Sequence, residues 1–175
     1  MSYLYECTNC HEMESFWNGV GMMFPSVYED LKKQCLEGRY GEEIKQLFAE
    51  YPQGAIDGSE NVYYCPECQD WHQTPCLDFF VPAFESGDTI NREKEPDSPE
   101  VLDCVMPGEL HSKEYKLIRK YKHTCPHCGN ATVKKLVMEP MGRAGRKSSL
   151  DGIRFKCHEC GKGYLEKTDC MVEID

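Results

Sequence analysis

Four C-x-x-C units constrain the folds open to this 175-residue chain more than any other feature of its sequence. Eight of its twelve cysteines belong to these units, namely Cys7, Cys10, Cys65, Cys68, Cys125, Cys128, Cys157 and Cys160. Two thiolates three positions apart can lie on one side of a tight turn, whose backbone N–H groups offset part of their negative charge. Two such turns supply the four ligands of a tetrahedral metal site, so the spacing predicts two metal sites of four cysteines each.

The third and fourth units resemble a known family. They read C-P-H-C-G at residues 125–129 and C-H-E-C-G at residues 157–161, and they resemble the paired knuckles of zinc ribbons and rubredoxins. The resemblance implies that each knuckle ends a β-hairpin and that the glycine after the second cysteine takes a positive φ. The first two units match less closely, because His11 and Gln69 stand where the other units have glycine.

Sequential pairing of the units is the favoured ligand arrangement: residues 7–10 with 65–68, and residues 125–128 with 157–160. The 54 residues inside the first pair would hold an inserted helical segment, and the 28 inside the second a basic hairpin tip. Interleaved pairing, of the first unit with the third and the second with the fourth, is not suggested by these spacings. The predicted fold class is α+β, with two small metal-stabilised zinc-ribbon-like β units, the first carrying the helical insertion.

Composition places a domain boundary near the middle of the chain. Residues 85–100 are polar, acidic and interrupted by proline and glycine, which is typical of a linker or long surface loop. The predicted domains are an acidic ribbon-like domain over residues 1–84 and a second ribbon over residues 101–175. Domains this small have difficulty stabilising a core by apolar burial alone, and metal sites are a common remedy.

Two helices are predicted between the first and second units. Ser26 is a candidate N-cap, with Glu29 completing a capping box, and Val27, Leu31 and Cys35 form the apolar face of the first helix. A second helix follows over residues 44–51 and ends before a proline.

The predicted strands are short and lie beside the cysteine units. They cover residues 3–5, 62–64, 77–81 as the return of 62–64, 101–106, 131–138, 153–155 as the partner of 131–138, and 164–174. Residues 113–122 fit either a short helix or a basic strand.

Two structural Zn²⁺ ions are the favoured cofactors, because four thiolates fill the coordination shell and leave no position for a reacting water. Iron suits the same cages and would be redox-active, as in rubredoxins. A thioredoxin-like centre would need a βαβ setting, and the haem-attachment pattern at residues 7–11 would need an exported chain. The sequence carries no phosphate-binding loop, nucleophile elbow or H-E-x-x-H motif, so an enzyme is not expected.

Further cysteines and histidines are assigned minor roles. The cysteines outside the C-x-x-C units are expected to act as small hydrophobes; they are Cys35, Cys76, Cys104 and Cys170. Cys76, His72 and His11 are alternative ligands. His127 and His158 occupy middle positions of knuckles and are expected to be exposed.

Charge is distributed unevenly along the chain. The net charge is −10, but residues 1–110 carry −16 and residues 111–163 carry +9. The basic segment makes nucleic acid a candidate partner, because lysine and arginine neutralise phosphates and aromatics stack on bases. The candidate contacts are Lys116, Arg119, Lys120 and Lys122, with Arg143, Arg146 and Lys147 on the hairpin tip. The alternative interpretation is a solvated basic face that pairs with the acidic half of the same chain.

An unidentified protein is the other candidate partner. The apolar stretch that includes Phe16, Trp17 and residues 22–24 would either present a patch to it or cover the first metal site. No small-molecule substrate is evident. No apolar run reaches the 18 residues of a membrane span, and with no secretory signal a cytoplasmic location is expected.

Overall fold

A computed structural model describes residues 2–17, 25–83, 107–131, 133–136 and 154–172. The elements, in chain order, are β1 (Ser2–Cys7), β2 (Met13–Trp17), α1 (Pro25–Leu36), α2 (Glu42–Glu50), β3 (Ala55–Ile56), β4 (Glu60–Cys65), β5 (Asp70–Pro75), β6 (Phe79–Pro82), α3 (Pro107–Leu110), β7 (Tyr115–Arg119), β8 (Lys134–Leu136), β9 (Phe155–Lys156) and β10 (Tyr164–Val172). The fold is mixed α+β and consists mostly of sheet. Within these described ranges, every helix is too short or too polar to span a bilayer.

The chain forms two compact units that are not consecutive halves. The first unit comprises residues 1–21, 60–75 and 122–175, and the second comprises residues 22–59 and 76–121. This division differs from the predicted domains 1–84 and 101–175, because the first strand of the chain pairs with the last. The predicted linker at residues 85–100 lies outside the described residues.

The first unit contains two antiparallel sheets. Their strand orders are β2-β1-β10-β9 and β5-β4-β8. Aromatic side chains from both sheets share one core, in which Phe16 contacts Tyr5 at 4.5 Å and Trp71 at 4.4 Å between ring centroids, each edge-on. Phe155 packs against the same ring at 5.1 Å. The core therefore joins strands from the beginning, middle and end of the chain.

The second unit packs α1 and α2 with a three-stranded sheet of order β3-β6-β7. Its core contains Tyr28, Leu31, Cys35, Ile44, Phe48, Ile56, Leu77 and Phe79. The Ile56 N–H donates a 3.1 Å hydrogen bond to the buried hydroxyl of Tyr28. The unit thus has an apolar core of its own.

The predicted helices are present, with two corrections. Ser26 is not the N-cap, because α1 already includes Pro25, a residue well suited to a first helical turn. Val27 is 52% exposed, whereas Tyr28 is buried beside Leu31 and Cys35. The large ring of Tyr28 gains more from burial than the valine does, so it determines which face of α1 is covered.

Two strand predictions also need correction. The return of β4 is β5 at Asp70–Pro75, whereas the predicted segment 77–81 contributes to β6, which pairs with β3 and β7. β9 pairs with β10 instead of β8, because β8 is held against β4. Residues 113–122, left open between helix and strand, contain β7. The predicted strand at 101–106 and the basic tip at 142–149 lie outside the described residues.

Candidate metal centres

Two groups of four cysteines converge in the first unit. Cluster 1 contains Cys7, Cys10, Cys157 and Cys160, and cluster 2 contains Cys65, Cys68, Cys125 and Cys128. In each cluster the four sulfur atoms lie within 4.8 Å of one another. The eight cysteines of the C-x-x-C units are the eight that form these clusters.

The sulfur–sulfur distances fit tetrahedral coordination of one ion. In cluster 1, Cys7 Sγ lies 3.7 Å from Cys160 Sγ, and Cys10 Sγ lies 3.7 Å from Cys157 Sγ. The matching distances in cluster 2 are 3.7 and 3.8 Å. A tetrahedron with metal–sulfur bonds of about 2.3 Å has an edge of about 3.8 Å. Each cluster therefore has the dimensions needed to hold one zinc-sized ion with thiolate ligands alone.

The predicted sequential pairing of the units is wrong. Cluster 1 joins the first unit with the fourth, and cluster 2 joins the second with the third. Strand pairing explains this arrangement, because β1 aligns antiparallel with β10 and sets Cys7 opposite Leu165, just beyond the fourth unit. The β4–β8 pairing likewise brings the second unit towards the third. Spacing along the chain carries no information about such long-range pairing.

All four knuckles have the same backbone turn. The residue after the second cysteine has a positive φ in each: 60° at His11, 52° at Gln69, 71° at Gly129 and 64° at Gly161. In three of the knuckles its N–H donates to the carbonyl of the first cysteine, at 2.8 to 3.1 Å. His11 and Gln69 thus adopt the conformation expected only for the glycines, so the weaker sequence match of the first two units does not reflect a different turn.

Backbone N–H groups point at the sulfurs of cluster 1. The N–H groups of Asn9 and Cys10 donate to Cys7 Sγ at 3.3 and 3.5 Å. The N–H of Gly163 donates to Cys160 Sγ at 3.3 Å. Such bonds orient thiolate ligands and spread their charge.

The four thiols of cluster 1 have unequal pKa values, because these hydrogen bonds are shared unequally among them. The N–H groups of Lys162 and Gly163 lower the pKa of the Cys160 thiol to about 6. The N–H of Glu12 lowers the pKa of Cys10, but burial and the neighbouring sulfurs outweigh it and raise the value to about 12. Four adjacent sulfurs cannot all carry a negative charge by themselves, and a divalent cation supplies the charge that lets them do so.

Cluster 2 also contains thiols whose pKa values are shifted in opposite directions. Burial raises the pKa of Cys125, but the N–H groups of Cys128 and His127 outweigh it and bring the value to about 7. The sulfur of Cys128, followed by burial, raises the pKa of Cys68. A divalent cation would let all four sulfurs of this cluster carry a negative charge, as in cluster 1.

Gly163 permits the close packing of cluster 1, a role the sequence did not reveal. A Cβ atom at this position would collide with Cys7 Sγ and lie 2.8 Å from Asn9 Cβ. The carbonyl of Gly163 also accepts a 3.0 Å hydrogen bond from the Cys157 N–H. Because this glycine stands three residues after Cys160 and outside the C-x-x-C-G pattern, spacing gave no signal for it.

Asp70 is a second residue of the site that the C-x-x-C pattern does not predict. His158 Nε2 lies 2.9 Å from Asp70 Oδ1, and His127 Nε2 lies 3.4 Å from Asp70 Oδ2. The two histidine side chains are 43% and 58% exposed, which confirms the expected exposure, but both are held by this one carboxylate. One histidine belongs to a knuckle of cluster 1 and the other to a knuckle of cluster 2.

The other candidate residues lie apart from the clusters. His11 pairs with Glu6 at 2.7 Å, and His72 stacks on Tyr63 at 5.7 Å, so neither joins a sulfur cluster. Cys35 and Cys76 are buried in the second unit. Cys104 lies outside the described residues, and of Cys170 only the backbone is described, within β10.

The basic candidates divide into two sets. Lys116, Arg119, Lys120 and Lys122 are exposed on or just after β7, and Arg119 Nε lies 3.0 Å from Glu43 Oε1. Arg143, Arg146 and Lys147 lie outside the described residues. The structure therefore describes one of the two proposed basic groups.

Comparison of the chain with protein-family models, with curated proteins and with solved structures finds no match.

Proposed function

We propose that this protein is a non-catalytic zinc-binding module, with zinc-ribbon-like knuckles, that acts by binding other macromolecules. The sulfur–sulfur distances of 3.7 to 3.8 Å in both clusters carry the proposal. Four thiolates at these distances complete the tetrahedral shell of each ion, so no coordination position is left for a water or a substrate. Zinc in such a shell holds distant segments of chain together and does no chemistry of its own.

Metal content tests the first part of this proposal. We expect two zinc ions per chain by elemental analysis and native mass spectrometry at saturating zinc. Cys128→Ser should bind no more than one, whereas Cys35→Ala, which changes a buried cysteine outside both clusters, should keep two. Fewer than two in the unaltered chain, or two in Cys128→Ser, would refute the ligand assignment.

Iron is the alternative ion, and the same preparation tests for it. Zinc is d¹⁰ and colourless, whereas iron bound by four thiolates absorbs in the visible region. A coloured protein with stoichiometric iron after expression in zinc-replete, iron-limited medium would replace the structural proposal with electron transfer.

The second candidate function is binding of single-stranded nucleic acid, with the exposed basic strand β7 as the contact surface. Residues Lys116–Arg119 are all exposed, and among the described residues β7 is an edge of its sheet. Lys120 continues the basic run. A strand of this kind can place its ammonium groups along a phosphate backbone.

Salt dependence of oligonucleotide binding tests this candidate. With about five phosphate contacts to a single strand, the plot of log K against log salt should have a slope of about −3.5. The pair Lys116→Ala and Lys120→Ala should make the slope shallower by about 1.5, whereas Lys33→Ala and Lys45→Ala on the helices should leave it unchanged. A slope near zero in the unaltered chain would remove nucleic acid as the partner.

A further inference from the structure

We propose that Asp70 is a positioning residue that couples the two clusters, so that a metal ion bound in one raises the affinity of the other. This inference rests on the proposed binding of metal by both clusters. It differs from that proposal because two independent structural sites would satisfy the ligand assignment equally well. The contacts around Asp70 favour coupling.

Asp70 connects three of the four knuckles. It stands two residues after Cys68, and its Oδ1 atom lies 2.9 Å from His158 Nε2, in the knuckle that supplies Cys157 and Cys160 to cluster 1. Its Oδ2 atom lies 3.4 Å from His127 Nε2, in the other knuckle of cluster 2. A carboxylate has two acceptor atoms, so it can hold both imidazoles at once.

A second set of contacts crosses between the clusters beside Asp70. Trp71 Nε1 donates a 2.9 Å hydrogen bond to the carbonyl of Lys156, the residue before Cys157. Lys156 Nζ donates in turn to the carbonyl of Cys68 at 3.3 Å. The indole of Trp71 stacks on His158 with ring centroids 4.4 Å apart and planes 10° apart. The second and fourth knuckles are therefore in direct contact.

These contacts transmit metal binding because the knuckles take their shape together with the metal. Binding free energy at a thiolate site is also folding free energy, since the ligands are not assembled in the unfolded chain. Metal in cluster 2 fixes the turn that precedes Asp70, and the carboxylate then holds the knuckle of His158 in the position cluster 1 requires. By linkage, metal in cluster 1 favours cluster 2 by the same factor.

Native mass spectrometry during zinc titration measures the coupling. The measured quantity is the one-zinc share, which is the fraction of chains that hold a single ion when one zinc has been added per chain. Two equal and independent sites give a one-zinc share of about a half, and unequal independent sites give a larger share. A coupling of about tenfold reduces the one-zinc share to about a quarter, with the remainder divided between metal-free and two-zinc chains. We expect a share of about a quarter or less in the unaltered protein, prepared metal-free under reducing conditions.

Asp70→Asn should raise the one-zinc share towards a half, because the amide is uncharged and has one acceptor atom, so it holds His158 less strongly and cannot hold both imidazoles at once. Glu67→Gln is the matched control, since it removes an exposed carboxylate from the same knuckle and should leave the share unchanged. If Asp70→Asn does not fold, His158→Phe keeps a ring to stack on Trp71 but removes the nitrogen that bonds Asp70, and it should give the same rise.

Failure of the inference is distinguishable from failure of the proposed function. Two zinc ions bound at saturation, with a one-zinc share of a half or more that does not rise further in Asp70→Asn, would overturn the coupling and leave the ligand assignment intact. A share that is low and equal in Asp70→Asn and the unaltered chain would overturn the role of Asp70. Absence of a two-zinc species at saturation would overturn both proposals.

Discussion

Replacing Gly163 by alanine tests the packing of cluster 1 with the smallest possible change. The added Cβ would collide with Cys7 Sγ and lie 2.8 Å from Asn9 Cβ and 3.0 Å from Asn9 N. Neither obstacle can swing aside, because Cys7 Sγ is held among the other sulfurs of cluster 1, and Asn9 N and Cβ are fixed by the backbone of the knuckle. Overpacking costs about 1–3 kcal/mol, and this site belongs at the upper end of that range. A cost of about 3 kcal/mol weakens zinc binding at cluster 1 by about 100-fold.

The assay is competition for zinc between the protein and a chromophoric chelator, with cobalt(II) absorption reporting tetrahedral geometry. Gly161→Ala is the matched control in the same knuckle. Its Cβ meets nothing within 4 Å, so only the positive φ of 64° opposes it, at about 1 kcal/mol. If Gly163→Ala lost no more affinity than Gly161→Ala, the steric argument for Gly163 would be refuted.

Three further predictions concern the knuckles, the second unit and acid. Gln69→Gly should stabilise the protein against urea by up to about 1 kcal/mol, because glycine adopts a φ of 52° without strain; a loss of stability would contradict this. Tyr28→Phe should lower the free energy of unfolding by about 1–3 kcal/mol, since it leaves the buried Ile56 N–H without its acceptor, and an unchanged urea midpoint would count against it. Metal-free protein should lose stability as pH falls from about 9 through 6, because the N–H groups of Lys162 and Gly163 lower the folded-state pKa of Cys160 to about 6. Thiolate absorbance near 240 nm follows that titration, and a midpoint no lower than that of the unfolded chain would contradict the assignment.

The identity of the candidate ligands could be read from the sequence because it depends on local chemistry. Two cysteines three positions apart form the same turn wherever they occur, and all four turns have the same residue conformation after the second cysteine. Even His11 and Gln69 adopt it, because the strain of one left-handed residue, about 1–2 kcal/mol, is small beside the free energy of a metal site.

The pairing of those turns could not be read from the sequence because it depends on which strands lie side by side. Sequential pairing minimises the length of chain between ligands, but the entropic cost of closing a loop rises only slowly with its length. The aromatic core formed by Tyr5, Phe16, Trp71 and Phe155 and the alignment of β1 with β10 outweigh that small difference. Gly163 and Asp70 were missed for the same reason, since their partners are distant in the chain.

The pairing of the first and last strands has a consequence for the newly made chain. Cys7 can meet Cys160 only after the ribosome has added 153 further residues. At about 5–20 residues per second, that interval is roughly 8–30 seconds. Until then Cys7 and Cys10 lack the two sulfurs that complete cluster 1, whereas the whole of the second unit, residues 22–59 and 76–121, is made before Cys157. Oxidation of the first two cysteines during this interval would leave a finished chain that cannot close cluster 1, so the redox state during synthesis affects how much protein matures.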